Sequence, residues 1–277
     1  MKYLAKKTVS SIVNNNLIWP VLKPVLKVGL YAYYSRKERN DVSFKFAALF
    51  EKKTVLNGPF KGMKYPSLDA LCSAIYPKLI GSYEKELHET IDKLRHRNYS
   101  EIIDVGCAEG YYAVGLSLMF ANAKVYAYDI DPAARRLCAN MAALNNTGKQ
   151  VIIREYCTAE ELGNFSFTER GLIVCDCEGF EMQLFNTSNL KNLTKCDIII
   201  EIHDFVNIEI EGYLRDLFST THDIKIIKSV DDYEKAKTYQ FSEVESASLN
   251  EKLRLFTEVR PCIMQWMICT PKETVSG

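Results

Sequence analysis

A glycine turn between an apolar strand and a helical segment constrains the fold of this chain more than any other feature. Residues 102–105 are apolar apart from Asp104, and they lead into Gly106, three further residues and Gly110. A helical pattern follows over residues 111–120. Glycine at these positions permits a tight turn and lets the backbone approach a ligand closely. The start of the helix offers backbone N–H groups that favour an acidic or polar ligand group.

A second acid stands at the end of the next predicted strand. Residues 124–129 are rich in apolar and aromatic side chains and end in Asp129, 25 residues after Asp104. In nucleotide-binding βαβ units, an acid at this point accepts hydrogen bonds from ribose hydroxyl groups. The G-x-x-x-G spacing departs from the G-x-G-x-x-G turn of dinucleotide sites.

Two later strands also end in acids. The fourth predicted strand, 171–176, ends in the sequence Asp-Cys-Glu-Gly-Phe-Glu, and the fifth, 197–202, ends in two acids and a histidine. The D-x-G-x-x-x-G turn with its later acid resembles motif I and its acidic partner in class I S-adenosylmethionine (SAM) methyltransferases. The D-x-E-G-x-E ending, with Gly81–Glu84 upstream, resembles the FkbM-like group of these enzymes. The resemblance covers about residues 81–204.

Strands are predicted over 101–105, 124–129, 151–156, 171–176, 197–202, 223–229 and 262–269, and helices over 111–120, 132–145, 180–187 and 208–218. This alternation predicts a mostly parallel sheet with helices on both faces. Before it, the sequence predicts a turn at Asn57-Gly58-Pro59 and a short helix from Ser67 to Ile75 that Tyr76-Pro77 closes. The resemblance implies a Rossmann-like α/β methyltransferase fold with seven strands, the last of them antiparallel and beside the sixth. Residues 1–80 are expected to form an N-terminal helical and hairpin extension, and residues 81–277 the methyltransferase domain. Residues 231–260 form an insertion before the last strand. The extension and the insertion are candidates for a substrate lid or an oligomer contact.

The resemblance implies that SAM lies over the glycine turn and that Asp129 holds its ribose. Plainer roles stay open for three residues: Cys107 as a packing residue, Asp104 as a residue that orders the loop, and Glu109 as a solvated glutamate. The residues expected to contact the cofactor are Asp104, Gly106, Cys107, Ala108, Glu109, Gly110, Tyr111, Asp129, Ile130, Thr158, Ala159 and Asp176.

Methyl transfer to a hydroxyl group requires an aligned acceptor and a base. His203 is the preferred base because its ordinary pKa is nearest neutrality, and Asp176 is the alternative if the base comes from the fourth strand. A structural role for His203 stays open, and Glu181 suits a favourable interaction with a helix N-terminus as well as catalysis. The candidates for catalysis are His203, Asp176 and Glu201, and those for acceptor binding are Glu178 and Asp204.

Carboxylates at these strand ends also raise the question of a metal ion. Asp176, Glu201 and Asp204 offer the oxygen ligands that Mg²⁺ prefers. The FkbM-like group is not generally marked by a metal, so no metal site is expected.

The composition excludes several classes of protein. The 35 basic and 35 acidic side chains give no net charge, which argues against a general nucleic-acid binder. Nine cysteines without a C-x-x-C pair suit reduced thiols in a cytoplasmic protein better than a disulfide framework or a zinc site. No apolar run is long enough for a transmembrane helix. The basic, apolar N-terminus suits packing on its own domain or a partner, or peripheral contact with a membrane.

The ending of the fourth strand bears on the acceptor. Methyltransferases that act on planar amines often end this strand in an N/D-P-P-Y sequence, whereas this chain has Asp-Cys-Glu-Gly. The resemblance therefore implies O-methylation of a glycan or a small metabolite. Two alternatives remain: an RNA methyltransferase, and a non-catalytic SAM-binding scaffold protein.

Overall fold

The computed structural model describes residues 44–68 and 74–273, and the expectations for residues 1–43 lie outside this part of the chain. A compact unit that starts at Leu49 contains a seven-stranded sheet in the order β3-β2-β1-β4-β5-β7-β6. The strands are β1 (Glu101–Val105), β2 (Lys124–Tyr128), β3 (Val151–Arg154), β4 (Gly171–Cys175), β5 (Cys196–Ile202), β6 (His222–Lys228) and β7 (Gln265–Pro271).

The strand directions confirm the predicted sheet. Strands β1 to β5 pair in parallel, and β7 lies antiparallel between β5 and β6. The central strands β1, β4 and β5 are buried along their whole length. They are nearly continuous apolar runs because helices cover both faces of a parallel sheet. The carboxyl ends of β1 to β5 therefore share one edge of the sheet.

Helices connect the strands of the described chain. Asp131 caps the helix Pro132–Leu144 by accepting a hydrogen bond from the backbone N–H of Ala133 at 2.7 Å. Pro132 follows at the first helical position, where no N–H donor is needed. The helices are α1 (Phe44–Phe50), α2 (Ile75–Ile80), α3 (His88–Leu94), α4 (Tyr111–Met119), α5 (Pro132–Leu144), α6 (Ala159–Asn164), α7 (Glu181–Leu184), α8 (Thr187–Leu193), α9 (Ile210–Phe218), α10 (Asp232–Thr238) and α11 (Leu249–Phe256), with 3₁₀ turns at Lys85–Leu87 and Ser242–Val244.

Two helical segments differ from the sequence pattern. The helix predicted over 180–187 is divided into α7 and α8, because the side chain of Asn186 forms a capping box with Asn189 and starts a new helix. The helix predicted to close at Tyr76-Pro77 instead begins at Ile75. Proline is tolerated in the first turn of a helix because the N–H it lacks has no intrahelical partner there. Residues 69–73 of that predicted helix lie outside the described residues.

The described residues of the segment 49–80, which the sequence pattern assigns to an extension, pack against the core. An antiparallel bridge joins Thr54 to Lys64 around the predicted turn. The ring of Phe60 contacts the ring of Tyr111, the first residue of α4, at a centroid distance of 5.1 Å. The amide of Asn57 donates a hydrogen bond to Glu243, in the 231–260 insertion, at 3.1 Å. This segment and the insertion therefore meet on the surface of the same compact unit.

The described residues include no helix with the length and apolar character needed to span a membrane. Their eight cysteines are all free thiols.

Candidate functional site

The predicted glycine turn joins β1 to α4 at the carboxyl edge of the sheet. Gly106 and Gly110 have φ values of 83° and 101°, which residues with a Cβ atom disfavour. A Cβ atom on Gly106 would lie 1.7 Å from the backbone oxygen of Asp176, and one on Gly110 would lie 2.9 Å from Sγ of Cys138. The packing of the turn against the end of β4 and against α5 therefore requires both glycines, independently of any ligand.

Asp129 follows β2 and is tied to the same turn. Its Oδ2 accepts a hydrogen bond from the backbone N–H of Ala108 at 2.9 Å, and its Oδ1 accepts one from that of Asp131 at 2.8 Å. A carboxylate oxygen has two lone pairs, so each oxygen can accept a further donor. The neighbouring Ile130 side chain is 76% exposed. The turn thus presents a fixed carboxylate beside an apolar surface, which suits a ribose and its base.

Asp104 lies within β1 and is buried. Its carboxylate accepts a hydrogen bond from the backbone N–H of Ala113 in α4, so Asp104 orders the turn. Its Oδ2 has no hydrogen-bond partner within the described part of the chain. Burial, together with the charges of Asp129, Glu84 and Glu109, raises the pKa of Asp104 to about 7. An unpaired carboxylate oxygen at this depth suits a positively charged ligand group.

Two side chains inside the turn are engaged by the protein itself. Glu109 forms a buried ion pair with Lys78, so the expectation of a solvated glutamate is wrong. Cys107 lies against Cys138, and a hydrogen bond between the two thiols together with burial raises the pKa of Cys107 well above its usual value. A protonated, buried thiol suits the packing role.

Tyr111 and Thr158 also make contacts within the fold. The ring of Tyr111 packs edge-on against Phe60 and Tyr83, with centroid distances of 5.1 and 5.0 Å. The hydroxyl of Thr158 accepts a hydrogen bond from the backbone N–H of Glu161 at 3.0 Å and so caps α6, which begins at the next residue. Contact of these residues with a cofactor stays a prediction.

The ends of β4 and β5 meet around the imidazole ring of His203. Its Nδ1 lies 2.6 Å from Oε1 of Glu181, and its Nε2 lies 3.4 Å from Oδ1 of Asp176 and 3.7 Å from Oε2 of Glu178. The side chains of His203 and Glu181 are buried, whereas those of Asp176 and Glu178 are 40% and 69% exposed. Positive φ values at Glu178 and Gly179 reverse the chain, so the two glutamates flank opposite sides of the ring.

The charges around His203 change its protonation. Burial alone lowers the pKa of His203, but the hydrogen bond to Glu181 and the charges of Asp176 and Glu201 outweigh it and raise the pKa to about 9. The preference for His203 as a base rested on an ordinary imidazole pKa, and that premise is wrong for this site. Burial, with the charge of Glu178, raises the pKa of Asp176 to about 6, while His203 opposes the rise.

Glu201 belongs to a neighbouring cluster of buried charges. It is paired with Arg260, which also lies 2.8 Å from Glu84 and 2.9 Å from Glu258. The guanidinium group stacks over the ring of Trp266 at 4.6 Å. Burial raises the pKa of Glu201 to about 8, although Arg260 opposes the rise. This cluster joins β5, the segment before the core and the insertion.

The three carboxylates considered for Mg²⁺ are not brought together. Glu201 is held by Arg260, and Oδ2 of Asp204 accepts a hydrogen bond from the side-chain amide of Gln265 at 3.0 Å. Among the described residues, a different set of potential ligand atoms lies within 4.8 Å of one another: those of Asp176, Glu178 and His203.

Sequence reasoning missed the cations of the site. Lys78 pairs with the glycine turn, Arg260 with the end of β5, and the fully buried Lys235 lies 2.6 Å from Glu258. Each stands far along the chain from its partner, and nothing in the local sequence separates it from the other basic residues. The pairing of Glu181 with His203 was also missed, although both residues had been singled out.

The strand order, the antiparallel β7 and the glycine turn with its acid define the class: this is the fold of class I SAM-dependent methyltransferases. A family model described as ribosomal protein L11 methyltransferase (PrmA) matches residues 87–177. The matched third runs from just before α3 to the end of β4 and includes the turn and Asp129. No curated protein matches the chain.

Solved structures with similar folds include several methyltransferases. An O-methyltransferase of Streptomyces achromogenes involved in tomaymycin synthesis, in complex with SAM, is 11% identical with a TM-score of 0.46, over 70% of this chain and 83% of that one. An O-methyltransferase of Bacillus cereus is 10% identical with a TM-score of 0.43, over 64% and 77% of the two chains. A precorrin 8w decarboxylase of Methanobacterium thermoautotrophicum is 20% identical with a TM-score of 0.43, over 67% and 89%. Likenesses of this size identify neither a reaction nor an acceptor.

Proposed function

We propose that this chain is a SAM-dependent O-methyltransferase of the FkbM-like kind, which methylates a hydroxyl group of a glycan or a small hydroxylated metabolite. One observation carries the proposal: the carboxylate–imidazole cluster adjoins the glycine turn. The backbone N–H of Asp176 donates to the carbonyl of Val105 at 2.8 Å, and its own carbonyl packs on Gly106. Groups able to accept a proton thus stand beside the predicted cofactor site.

The residues present fit SAM. Asp129 offers acceptors for the ribose hydroxyl groups, Ile130 an apolar surface for the adenine, and Asp104 a carboxylate for the ammonium group. When bound, SAM supplies an electrophilic methyl group, whose transfer to the acceptor oxygen leaves S-adenosylhomocysteine and an ether.

In this proposal the acceptor hydroxyl gives its proton to Asp176. The side chain of Asp176 is 40% exposed, whereas that of His203 is 4% exposed, so an acceptor reaches the carboxylate more readily than the ring. His203 then acts as a positioning residue for Asp176, and Glu181 fixes the ring. The exposed Glu178 suits hydrogen bonding to further hydroxyl groups of the acceptor.

Calorimetry with SAM tests the cofactor site. We expect saturable binding that Asp129→Ala weakens at least tenfold, because the substitution removes the ribose acceptor. Asp223→Ala is the matched control, since Asp223 is an exposed aspartate at the beginning of β6, on the opposite edge of the sheet. Absence of SAM binding, or equal affinity in the Asp129→Ala variant, would sink the proposal.

Formation of S-adenosylhomocysteine with a panel of sugars, polyols and phenols tests the reaction. Turnover is expected with hydroxylated acceptors and is expected to fall at least a hundredfold in Asp176→Asn with unchanged SAM affinity. Turnover on RNA alone would favour an RNA methyltransferase. SAM binding without turnover on either class would favour the scaffold protein.

A further inference from the structure

The Nε2 atom of His203 faces two carboxylates, an arrangement that favours a positive group between them. The Oε1 atom of Glu181 lies 2.6 Å from Nδ1 of His203 and accepts a hydrogen bond from it. With Nδ1 as the donor, the lone pair of the neutral ring is on Nε2. That atom faces Oδ1 of Asp176 and Oε2 of Glu178. The arrangement therefore needs a positive charge at Nε2, which is either a proton on the imidazole ring or a metal ion in its place.

The separations favour a metal ion over a proton alone. A charge-assisted N–H···O bond spans about 2.7–2.9 Å, and the buried Oδ1 of Asp176 accepts no hydrogen bond from any described residue. The observed distances from Nε2 are 3.4 and 3.7 Å. Neighbouring ligands about 2.1 Å from one ion lie about 3.0–3.4 Å apart in octahedral or tetrahedral geometry. The ligand oxygens of Asp176 and Glu178 lie within 4.8 Å of each other, and the exposed side chain of Glu178 can move to close these distances.

We propose that Asp176, Glu178 and His203 form a divalent-metal site, in which Glu181 orients the histidine ligand. Histidine ligands in metal sites usually donate their other ring N–H to a carboxylate, which fixes the ring and makes it a stronger ligand. The fully buried Glu181 is placed for this role. Two oxygens and one imidazole nitrogen suit a transition-metal ion such as Mn²⁺.

The exposure of the cluster suits a catalytic ion. His203 is buried at its base, while Asp176 and Glu178 are 40% and 69% exposed, so an ion held there keeps open positions for water or an acceptor oxygen. This role, unlike metal binding itself, depends on the proposed methyl transfer. Bound to the acceptor hydroxyl, the ion would lower the pKa of that group and align its oxygen with the methyl donor.

Titration of the chelator-treated full-length chain with Mn²⁺, without SAM, tests the site. Calorimetry is expected to show one saturable Mn²⁺ per chain, and pulsed electron paramagnetic resonance to show ¹⁴N coupling from one imidazole. Glu178→Gln should weaken binding at least tenfold, and its exposure removes the risk of misfolding. Glu181→Gln should weaken Mn²⁺ binding about 10–100-fold, because it leaves the three ligands in place but makes the imidazole a weaker ligand.

Two further variants complete the test. His203→Ala should abolish the ¹⁴N coupling, while Glu234→Gln, at an exposed position on α10, should leave binding unchanged. No saturable Mn²⁺ binding in the wild-type chain, or binding that Glu178→Gln and His203→Ala both retain, overturns the proposal. A chain that binds SAM but not Mn²⁺ overturns the metal site alone, and a chain that binds Mn²⁺ but not SAM overturns the proposed function alone.

Discussion

Replacement of Asp104 by asparagine should make the protein more stable at alkaline pH. The carboxyl group of Asp104 is 2% exposed, and burial raises its pKa from 3.8 to about 7. The folded state therefore holds a proton that the unfolded chain releases at pH 4, and stability falls as the pH rises from about 4 to about 7. Asparagine can still accept the hydrogen bond from Ala113, and it never becomes charged.

The size of the effect follows from this rise in pKa. At 1.36 kcal/mol per pKa unit, the ionised carboxylate costs about 4 kcal/mol of folding free energy above pH 7. The unpaired N–H of the amide replaces the unpaired O–H of the acid, so the two proteins should be nearly equally stable below pH 4. The advantage of Asp104→Asn should grow from about 2 kcal/mol at pH 5 to about 4 kcal/mol at pH 8.

Thermal unfolding at a series of pH values measures this difference. At about 2–4 °C per kcal/mol for a domain of this size, the gap in Tm should widen by about 5–10 °C between pH 5 and pH 8. Asp223→Asn, at an exposed aspartate, should show no such trend. A gap for Asp104→Asn that stays constant with pH, or a variant less stable than wild type at pH 8, would refute the reasoning.

Three other substitutions, and one control, test the packing of the glycine turn and the buried ion pairs of the fold. Gly106→Ala should abolish SAM binding and cost more than about 2 kcal/mol of stability, because its Cβ atom would lie 1.7 Å from the backbone oxygen of Asp176. Gly62→Ala is the control: Gly62 has a φ of 94° but no atom within 4 Å of the added Cβ, so this substitution should cost about 1 kcal/mol. Arg260→Ala should cost about 3–5 kcal/mol in urea unfolding, because it leaves Glu84 and Glu201 buried without their cation while Glu258 keeps Lys235. A cost below about 1 kcal/mol would show that water replaces the guanidinium group. Asp197→Asn should cost about 1–3 kcal/mol of stability, since two arginines and a tyrosine hydrogen-bond to its carboxylate. Asp197 lies at the beginning of β5, away from the predicted cofactor site, so SAM affinity should not change, and a reduced affinity would contradict this prediction.

Local sequence was sufficient to predict strands β1, β2, β4 and β5, whereas the number of strands and the antiparallel last strand were implied by the family resemblance. The predicted and observed bounds of β1 agree, and β2, β4 and β5 differ by one residue at one end, because buried parallel strands are continuous apolar runs ended by turn residues. The helices after β4 were predicted less well. Their division depends on the cap that Asn186 forms with Asn189, and one side-chain hydrogen bond is enough to end one helix and start another.

The candidate site was predicted in part, for a topological reason. Parallel strands bring their carboxyl ends together, so the meeting of the fourth and fifth strand ends, which carry Asp176 and His203, follows from the strand pattern. The contact between Glu181 and His203 also requires the reversed backbone at Glu178, and the raised pKa of His203 requires the positions of several carboxylates. Neither is encoded in the spacing of the motifs.

The two halves of the proposed site are built from different kinds of sequence. The cofactor half lies in consecutive elements, and the family match over residues 87–177 covers it from β1 to the end of β4. The acceptor half uses Glu178 and His203, which follow that range. The neighbouring cluster of buried charges is held by Arg260 from the insertion. The match to the ribosomal protein L11 methyltransferase model therefore covers the cofactor half of the proposed site and does not reach Glu178 or His203. In the proposed site the acceptor is held by side chains outside the matched range, so substitutions at Glu178 should lower the turnover of hydroxyl acceptors and leave SAM affinity unchanged.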